Sequence, residues 1–330
     1  MANISDVAKK AGVSVGTVSK VLNNDHTVKE KNRTNVLNAI NELGYLPNVH
    51  AKNLSSGKTG LISIIIPTIG HEFQSRIVNS IDETLAKYEY DSVLFPLLSR
   101  DRLRRFSNPG YFLYQTDGII VVSLALSSLF ENGKIPTTKP YIMVDTSDDS
   151  GDSIKTDNYR GGMIAGEKIE FEKNNEMLII NSIENDNIFS SHVFNERVSG
   201  FRKGLSKRDI DKKKIKMKKL PLEFSFAFDL GLKTAENNES GFSVFAVSDI
   251  LAWGFIEGCK KKGKIAGKDY RIIGYDDLKF SEKIGLSTVS QPIEKMGEIA
   301  AEKLIEKIKE RTNQKISISL NPEYRERKTN

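Results

Sequence analysis

The sequence predicts an α/β protein, with a small helical head at the N-terminus and a body built on doubly wound parallel sheets. Residues 1–60 contain short amphipathic helical segments and no strand-like apolar run. From Leu61 onward, apolar runs bounded by turns alternate with amphipathic stretches, which is the pattern of a wound sheet. The chain has 330 residues, and at roughly 150 residues per domain this length suits about two domains.

The composition favours a folded globular protein. Hydrophobic residues make up 38% and charged residues 28% of the chain, which excludes a disordered or collagen-like chain. No apolar run reaches the roughly 18 residues of a membrane helix, and the polar start is unlike a secretion signal. Cys259 is the single cysteine and cannot form an internal disulfide, so a cytoplasmic location is expected. The histidines and this cysteine lack metal-ligand spacing, and no metal or cofactor is predicted.

Positive charge is concentrated in the head. Residues 1–60 carry eight Lys or Arg and four Asp or Glu, a net charge of +4, whereas the other 270 residues carry a net charge of +2. A basic head on a near-neutral body indicates a polyanionic partner for the head. A solvated charged surface explains the same excess equally well.

Helix boundaries can be located in the head from capping residues. Asn3 and Asp6 form a capping box for a first helix, which Gly12 ends. Ser14 can cap a second helix. The tight turn Ala11–Ser14 between them is typical of a helix-turn-helix, whose second helix enters the DNA major groove.

Two more segments follow in the first sixty residues. A third helix runs to Gly44, and Thr27 with Glu30 predicts its start as a capping box. Asn48 and Gly57 can then bound a helix of about eight residues, which is marginal by itself in water.

Three strings resemble the LacI/GalR family of bacterial transcriptional regulators, and the resemblance extends over essentially the whole chain. They are ISDVAKKAGVSVGTVSKVLNN, NAINELGYLPN and, near the end, QPIEKMGEIAAEKL. The resemblance implies a sequence-specific DNA-binding regulator, expected to be a repressor, that binds a pseudo-palindromic operator as a homodimer. It also implies that a small effector, expected to be a sugar or sugar derivative, changes the operator affinity.

The same resemblance implies the domain organisation. Residues 1–46 are the helix-turn-helix head, 47–58 a hinge helix that forms on DNA, and 59–330 a periplasmic-binding-protein-like body. In the body, one subdomain takes about 60–158 plus 290–313, and the other takes about 159–289 plus 314–330. The effector cleft is expected between them.

By the resemblance, the start of the second helix reads bases through Val15, Gly16 and Lys20. Val15 can pack on a thymine methyl group and Lys20 can donate to guanine, but a core role for Val15 and a phosphate or solvent role for Lys20 remain open. Lysine lacks the bidentate fork of the arginine commoner at this position. Phosphate contacts are expected at Ser14, Thr17, Ser19, Asn23 and Asn32, and hinge contacts at Ala51 and Leu54, the latter as a minor-groove wedge.

Seven buried strands and five helices are predicted in the body. The strands are Leu61–Ile66, Ser92–Leu97, Gly118–Val122, Tyr141–Val144, Met177–Ile180, Ser243–Val247 and Arg271–Tyr275. The helices are Arg76–Tyr88, Gly161–Phe171, Glu196–Leu205, Ile250–Lys262 and Glu294–Lys309.

Ligands of wound sheets bind at the carboxyl ends of strands, and these ends coincide with many effector positions of the family. Carboxylates with Arg197 can bracket sugar hydroxyls, and Phe73 or Phe224 can stack on a sugar. At Gly70–Phe73 and at Ser248 the sequence departs from the residues usual in the family. These departures weaken the assignment of the effector. Asp249 and Asp157 also suit helix caps, and His71 a solvated loop. The predicted effector residues are His71, Phe73, Ser123, Asp145, Asp157, Arg197, Phe224, Ser248, Asp249 and Asp276.

Two other classes compete with a regulator: a solute receptor and an α/β enzyme with a fused head. The head and the absent secretion signal disfavour the receptor, and no ordered catalytic triad supports the enzyme.

The basic segment 202–219 suits a solvated surface better than a second nucleic-acid site. Trp253 fits the cleft, a dimer contact or the core. The outer faces of Arg76–Tyr88 and Ile250–Lys262 are the expected dimer interface.

Overall fold

The computed structural model describes most of the chain, which forms two compact units, Met1–Thr59 and Gly60–Asn330. Within the described residues, no helix is long and apolar enough to cross a membrane. The predicted hinge contacts Ala51 and Leu54 lie outside these residues. The described residues are 2–45, 58–130, 133–146, 148, 151–172, 175–183, 192–206, 208, 210, 212–238, 241–312 and 314–330.

The head contains three helices, α1 (Ile4–Ala11), α2 (Val15–Leu22) and α3 (Glu30–Leu43). The predicted capping box of α1 is confirmed: the Asn3 side chain accepts from the Asp6 N–H at 3.1 Å, and the Asp6 carboxylate accepts from the Asn3 N–H at 2.9 Å. Gly12 ends α1 with φ +67°, a left-handed conformation that suits glycine. The core of the head is a small cluster that includes Val7, Val18 and Val36.

The predicted start of α3 is wrong. Lys29 occupies the N-cap position and its side chain makes no capping bond. Thr27 instead donates its hydroxyl to Asp25 Oδ1 at 2.6 Å, and Arg33 Nη2 donates to the Asp25 carbonyl at 2.7 Å. These bonds fix the turn before α3 and leave Thr27 unavailable to cap it.

The body alternates strands and helices. Its strands are β1 (Leu61–Ile66), β2 (Asp91–Pro96), β3 (Gly118–Val122), β4 (Tyr141–Val144), β5 (Ser153–Thr156), β6 (Glu176–Ser182), β7 (Ile215–Leu220), β8 (Phe242–Ala246), β9 (Arg271–Asp276), β10 (Ser287–Ser290), β11 (Ser317–Leu320) and β12 (Glu323–Arg325). Its α-helices are α4 (Glu72–Ala86), α5 (Arg100–Phe106), α6 (Leu126–Leu129), α7 (Asn158–Lys168), α8 (Val193–Leu205), α9 (Phe224–Asn237), α10 (Asp249–Lys261), α11 (Lys279–Lys283) and α12 (Ile293–Glu310).

These strands form two six-stranded sheets, one for each subdomain. The first has the order β11-β5-β4-β3-β1-β2, and its described pairs are parallel. The second has the order β12-β10-β9-β8-β6-β7, parallel except for the antiparallel pair of β10 with β12. The central strands are buried along their length because helices cover both faces.

The structure corrects the predicted boundary of the second subdomain. Residues 314–330 do not all belong to it, because β11 pairs with β5 in the first sheet, from Ser317 opposite Ser153 to Leu320 opposite Thr156. β11 thus supplies backbone partners to a strand that would otherwise be an unpaired edge. The chain returns to the second sheet only with β12, which pairs with β10.

Close helix packing aligns the polar residues of the second subdomain. A Cβ atom on Gly162 of α7 would lie 2.0 Å from the Arg197 carbonyl oxygen, and one on Gly200 of α8 would lie 1.9 Å from the Tyr159 carbonyl oxygen. Only glycine permits this approach. It brings Arg197 beside the start of α7.

Candidate functional site

The start of α2 presents a polar, solvent-facing surface in the head. Val15 is 42% exposed, so the alternative that placed it in the core is wrong. Ser14 caps α2 by accepting from the Thr17 N–H at 3.2 Å, and the two hydroxyls lie 3.0 Å apart. Gly16 and Asn23 are also exposed, whereas Ser19 and Asn32 are half-buried.

Lys20 lies near the C-terminal end of this surface. Its side chain is 60% exposed, and its Nζ lies 3.9 Å from Asp25 Oδ2. An exposed pair at this distance constrains a lysine weakly. The ammonium group therefore remains available to a base edge or a phosphate.

A cavity of about 360 Å³ opens in the body, lined by strand ends and helix starts from both subdomains. Seven of the ten predicted effector residues line it, because the carboxyl ends of parallel strands converge. They are His71, Phe73, Ser123, Asp145, Arg197, Ser248 and Asp276.

Two predicted effector residues have other contacts and do not line the cavity. Asp157 caps α7, where its Oδ1 accepts from the Arg160 N–H at 2.8 Å. The Phe224 ring packs edge-on against Trp253, with 4.9 Å between the ring centroids. Trp253 also packs on Phe280 at 4.7 Å. Phe224 is therefore part of an aromatic cluster and is not among the residues that line the cavity.

Asp249 also lies outside the cavity, and it does not cap α10 either. Ser248 is the N-cap, and its Oγ lies 3.4 Å from the Ile250 N–H. Asp249 is fully buried and accepts from the Leu278 N–H at 3.0 Å and the Thr288 hydroxyl at 2.6 Å. Burial raises the pKa of this carboxyl, and the nearby Asp276 raises it further. Asp249 holds the loop after β9 in place.

The first subdomain contributes a buried carboxylate. Asp145 follows β4, is 3% exposed, and accepts from the Ser123 hydroxyl through Oδ2 at 2.6 Å. Its Oδ1 is buried and has no hydrogen-bond partner among the described residues. Burial raises the pKa of Asp145 to about 7, against the opposing influence of Arg197. Both residues have positive φ, +53° for Ser123 and +56° for Asp145, a strained conformation that often marks binding sites.

The second subdomain contributes an arginine that is already paired. Arg197 is 2% exposed and donates through Nη1 to Asp276 Oδ1 at 3.0 Å and to the Val247 carbonyl at 2.7 Å. Its Nε donates to Asn158 Oδ1 at 2.8 Å, and its guanidinium lies 3.9 Å from the Tyr275 ring centroid. Burial nevertheless raises the pKa of Asp276, and Arg197 opposes that rise. This wall is preorganised.

Direct contacts join the subdomains beside the cavity. Arg76 on α4 donates through Nη1 to the Asp277 carbonyl of the second subdomain at 3.1 Å, while bonds of 2.6 and 3.0 Å to Glu294 of its own subdomain hold its side chain in place. The Lys279 N–H donates to Glu72 Oε1 at 2.7 Å. The loop after β9 thus contacts both α4 and the cavity.

Sequence reasoning missed several lining residues. Gln74 lies in the first turn of α4, and the strand-end rule was applied only as far as Phe73. Ser182 would have been found if β6 had been predicted to its observed end. The segment Pro221–Glu223 follows β7, a lysine-rich edge strand that was not predicted as a binding element.

A helix-turn-helix head and a two-subdomain body with an effector-sized cavity define a class: DNA-binding regulators that respond to a ligand. Residues 3–48 match the family of bacterial regulatory proteins named for lacI. Residues 190–330 match the periplasmic binding protein-like domain. The chain therefore combines a LacI-family DNA-binding domain with a periplasmic-binding-protein-like domain, as LacI-family transcriptional regulators do.

Full-length relatives agree with this assignment. The catabolite control protein A of Streptococcus mutans is 27% identical over 99% of this chain and 97% of its own length. The transcriptional repressor PurR of Vibrio atlanticus is 28% identical over 100% of this chain and 98% of its own length.

Solved structures show the same architecture. A probable transcription regulator from Thermus thermophilus is 29% identical, has a TM-score of 0.67, and covers 81% of this chain and 97% of its own. The lac repressor dimer bound to operator and an anti-inducer aligns with a TM-score of 0.81 at 21% identity, over 99% and 98% of the two chains. The regulator CelR in complex with cellobiose aligns at 0.68 and 23% identity over 100% of both chains. The last two likenesses establish the shared fold.

Proposed function

We propose that the chain is a homodimeric repressor that binds a pseudo-palindromic operator and changes its operator affinity in response to a sugar-like effector in the cavity. The observation that carries the effector class is the mixed lining of the cavity. Asp145 contributes a carboxyl group, Arg197 contributes a guanidinium group, and Phe73 and Phe194 contribute apolar faces. Hydroxyls beside C–H faces are the chemistry that such a lining accommodates.

Backbone donors complete this lining. The helices α4 and α9 begin at the cavity, and neither has a side-chain bond at its N-cap, His71 and Glu223 respectively. Their first-turn N–H groups are therefore available to ligand oxygens. The solved relative that binds cellobiose supports a sugar on this fold.

For the head, we propose base reading by Val15, Gly16 and Lys20, with phosphate contacts from Ser14, Thr17, Ser19, Asn23 and Asn32. The exposure of Val15 and Lys20 supports this role. In the hinge segment, Ala51 and Leu54 are assigned to the minor groove, with Leu54 as the wedge that links the head to the effector response.

The first subdomain offers the better dimer face. β2 is the edge strand of its sheet, and Tyr88, Leu94 and Leu98 around it are 37%, 47% and 54% exposed. Part of the expected α10 face is instead packed inside the chain, since a Cβ on Gly258 would lie 2.1 Å from the Phe228 carbonyl oxygen. The proposed interface therefore shifts from α10 toward α4 and β2.

We assign the chain no catalytic role, because the relatives that it matches are transcriptional regulators. The solute-receptor alternative gains no support, since the head matches a DNA-binding family. Action on operator DNA places the protein in the cytoplasm.

The test is a mobility-shift titration of the full chain with an operator enriched from a library of random palindromes. Raising the salt concentration from about 50 to 200 mM should strongly weaken the affinity for random DNA. The ratio of operator affinity to random-DNA affinity should change much less. A sugar that raises the melting temperature should also change the affinity for the operator, in either direction. Sugar binding without operator preference would identify a receptor, and a monomer in sedimentation on operator would refute the dimer.

A further inference from the structure

The turn that follows α2 places Asp25 directly beside Lys20. The Asp25 N–H donates to the Lys20 carbonyl at 2.9 Å. The Asn24 N–H donates to the Val21 carbonyl at 3.0 Å, and Asn24 has φ +54°. These two bonds and the left-handed residue form a Schellman motif, in which the residues at the positions of Asp25 and Lys20 usually make an apolar contact. Here they are oppositely charged, and Lys20 Nζ lies 3.9 Å from Asp25 Oδ2.

Asp25 is held in place by the turn before α3. Its Oδ1 accepts from the Thr27 N–H at 2.8 Å and from the Thr27 hydroxyl at 2.6 Å. Its backbone carbonyl accepts from Arg33 Nη2 at 2.7 Å. The Thr27 bonds, with a smaller contribution from Lys20, hold the pKa of Asp25 below its usual range. Asp25 therefore presents a fixed negative charge, through Oδ2, to the Lys20 side chain.

Lys20 is a flexible group next to this fixed charge. Its side chain is 60% exposed, and a lysine ammonium is a point charge that binds phosphates as well as bases. An exposed ion pair is weak in water, but the effective dielectric falls where protein and DNA exclude water, so the same pair becomes stronger on DNA. A carboxylate beside the ammonium also repels phosphates, and this repulsion opposes a phosphate contact by Lys20.

We propose that Asp25 is a positioning residue for base reading: on the operator, its carboxylate holds the Lys20 ammonium at one base pair and opposes its contact with phosphates. This inference rests on the proposed base-reading role of Lys20 and adds how that role is kept specific. On random DNA, where phosphates supply the affinity, the same carboxylate weakens binding. Asp25 thereby raises the ratio of operator affinity to random-DNA affinity.

The experiment is competition binding on the full chain, with operators that carry single base-pair substitutions and with random DNA. The operators first locate the base pair at which Lys20→Ala loses its preference. Asp25→Asn keeps an Oδ1 that can accept both Thr27 bonds but removes the charge beside Lys20. Its preference at that base pair should fall about two- to fivefold, the range of an exposed ion pair. Its affinity for random DNA should rise, whereas a folding defect would lower it.

Three further variants separate positioning from charge and from folding. In the Lys20→Ala background, Asp25→Asn should leave the preference at that base pair unchanged, because the positioned group is absent. Glu42→Gln removes a carboxylate that lies 2.6 Å from Lys10 Nζ, and it should keep the wild-type preference there. Thr27→Val keeps the charge but removes the hydroxyl bond to Oδ1, and it should lose part of the preference even if Asp25→Asn weakens the turn.

Three outcomes would overturn the inference. A wild-type preference at this base pair in Asp25→Asn would remove Asp25 from base reading and leave Lys20 as a reader. An equal change at this base pair in the Lys20→Ala background would show that Asp25 does not act through Lys20. If Lys20→Ala weakens binding uniformly on every sequence, the proposed base reading by Lys20 fails and this inference fails with it.

Discussion

The head and the body satisfy their polar groups over very different distances along the chain. In the head, Asn3 bonds Asp6 and Ser14 bonds Thr17, each three positions away. In the body, Arg197 bonds Asn158 and Asp276, which are 39 and 79 positions away. The head is therefore organised by neighbours in sequence, and the cavity by residues that meet only when the sheets have formed.

This difference has an energetic consequence. Local caps on exposed helix ends contribute modestly, and each can be lost separately. A buried charge held by distant partners is different, because its removal leaves the other partners buried and unpaired. We therefore expect mutations in the cavity network to affect the whole body and mutations in the head to remain local.

The largest effect is expected for Arg197→Met, which removes the long-range bonds of the cavity network. The change leaves the Asp276 carboxylate buried without its cationic partner and Asn158 Oδ1 without its donor. The body should lose about 3–5 kcal/mol in its free energy of unfolding, measured by urea denaturation. Arg202→Met, at an exposed position on the same helix, should cost less than about 0.5 kcal/mol. Equal costs for the two variants would contradict the comparison.

Lys20→Ala should affect operator binding and leave the stability of the body unchanged. If Lys20 reads a guanine, the variant loses about 1–3 kcal/mol on the operator and its preference relaxes at one base pair. Competition binding against operators with single substitutions measures both quantities. Lys31→Ala removes an equal charge from another exposed head position and should leave base preference intact. A uniform loss for Lys20→Ala on every sequence would indicate a phosphate contact.

Asn3→Ala tests the short-range interactions that organise the head. It removes the acceptor that caps α1 and should destabilise the head by about 1 kcal/mol. Hydrogen exchange in the full chain should show faster exchange for amides of α1 and no change in the body. Asn38→Ala, at an exposed position within α3, serves as the control. If the α1 amides of Asn3→Ala exchange as slowly as in wild type, the Asn3 cap does not stabilise this helix.

The smallest effect is expected for Asp145→Asn. It is measured as a change in how the free energy of unfolding depends on pH. Burial raises the pKa of Asp145 to about 7 in the folded protein, whereas the unfolded value is about 3.9. The folded state therefore holds this proton over the intervening range, and its contribution to stability falls as pH rises from about 4 to about 7. The uncharged variant should lack this fall, so its free energy of unfolding should change less than that of wild type between pH 5 and pH 8.

Urea denaturation at pH 5 and pH 8 measures this difference. Asp229→Asn, at an exposed position on α9, should follow the wild-type profile. If Asp145→Asn shows the same pH dependence as wild type, burial of this carboxyl is not what makes the body sensitive to pH.

The two regions also differed in how well the sequence predicted them. The strands Leu61–Ile66, Gly118–Val122 and Tyr141–Val144 were predicted with their observed bounds, since continuous apolar runs mark buried strands. Strands β5, β10, β11 and β12 were missed, and the edge strands β11 and β12 carry polar side chains that break that pattern. The caps of α1 and α2 were predicted correctly, whereas the predicted cap of α3 failed when Asp25 bonded Thr27.

The sequence by itself determined the head helices, the central strands and the strand ends that line the cavity. These features depend on residues a few positions apart, or on the rule that parallel strands end together. Only the tertiary structure decided that β11 joins the first sheet and that Asp249 bonds the loop after β9. Burial and pairing in the body depend on residues that are far away in the chain. The local sequence around a side chain does not show which distant residue it will contact in the folded protein.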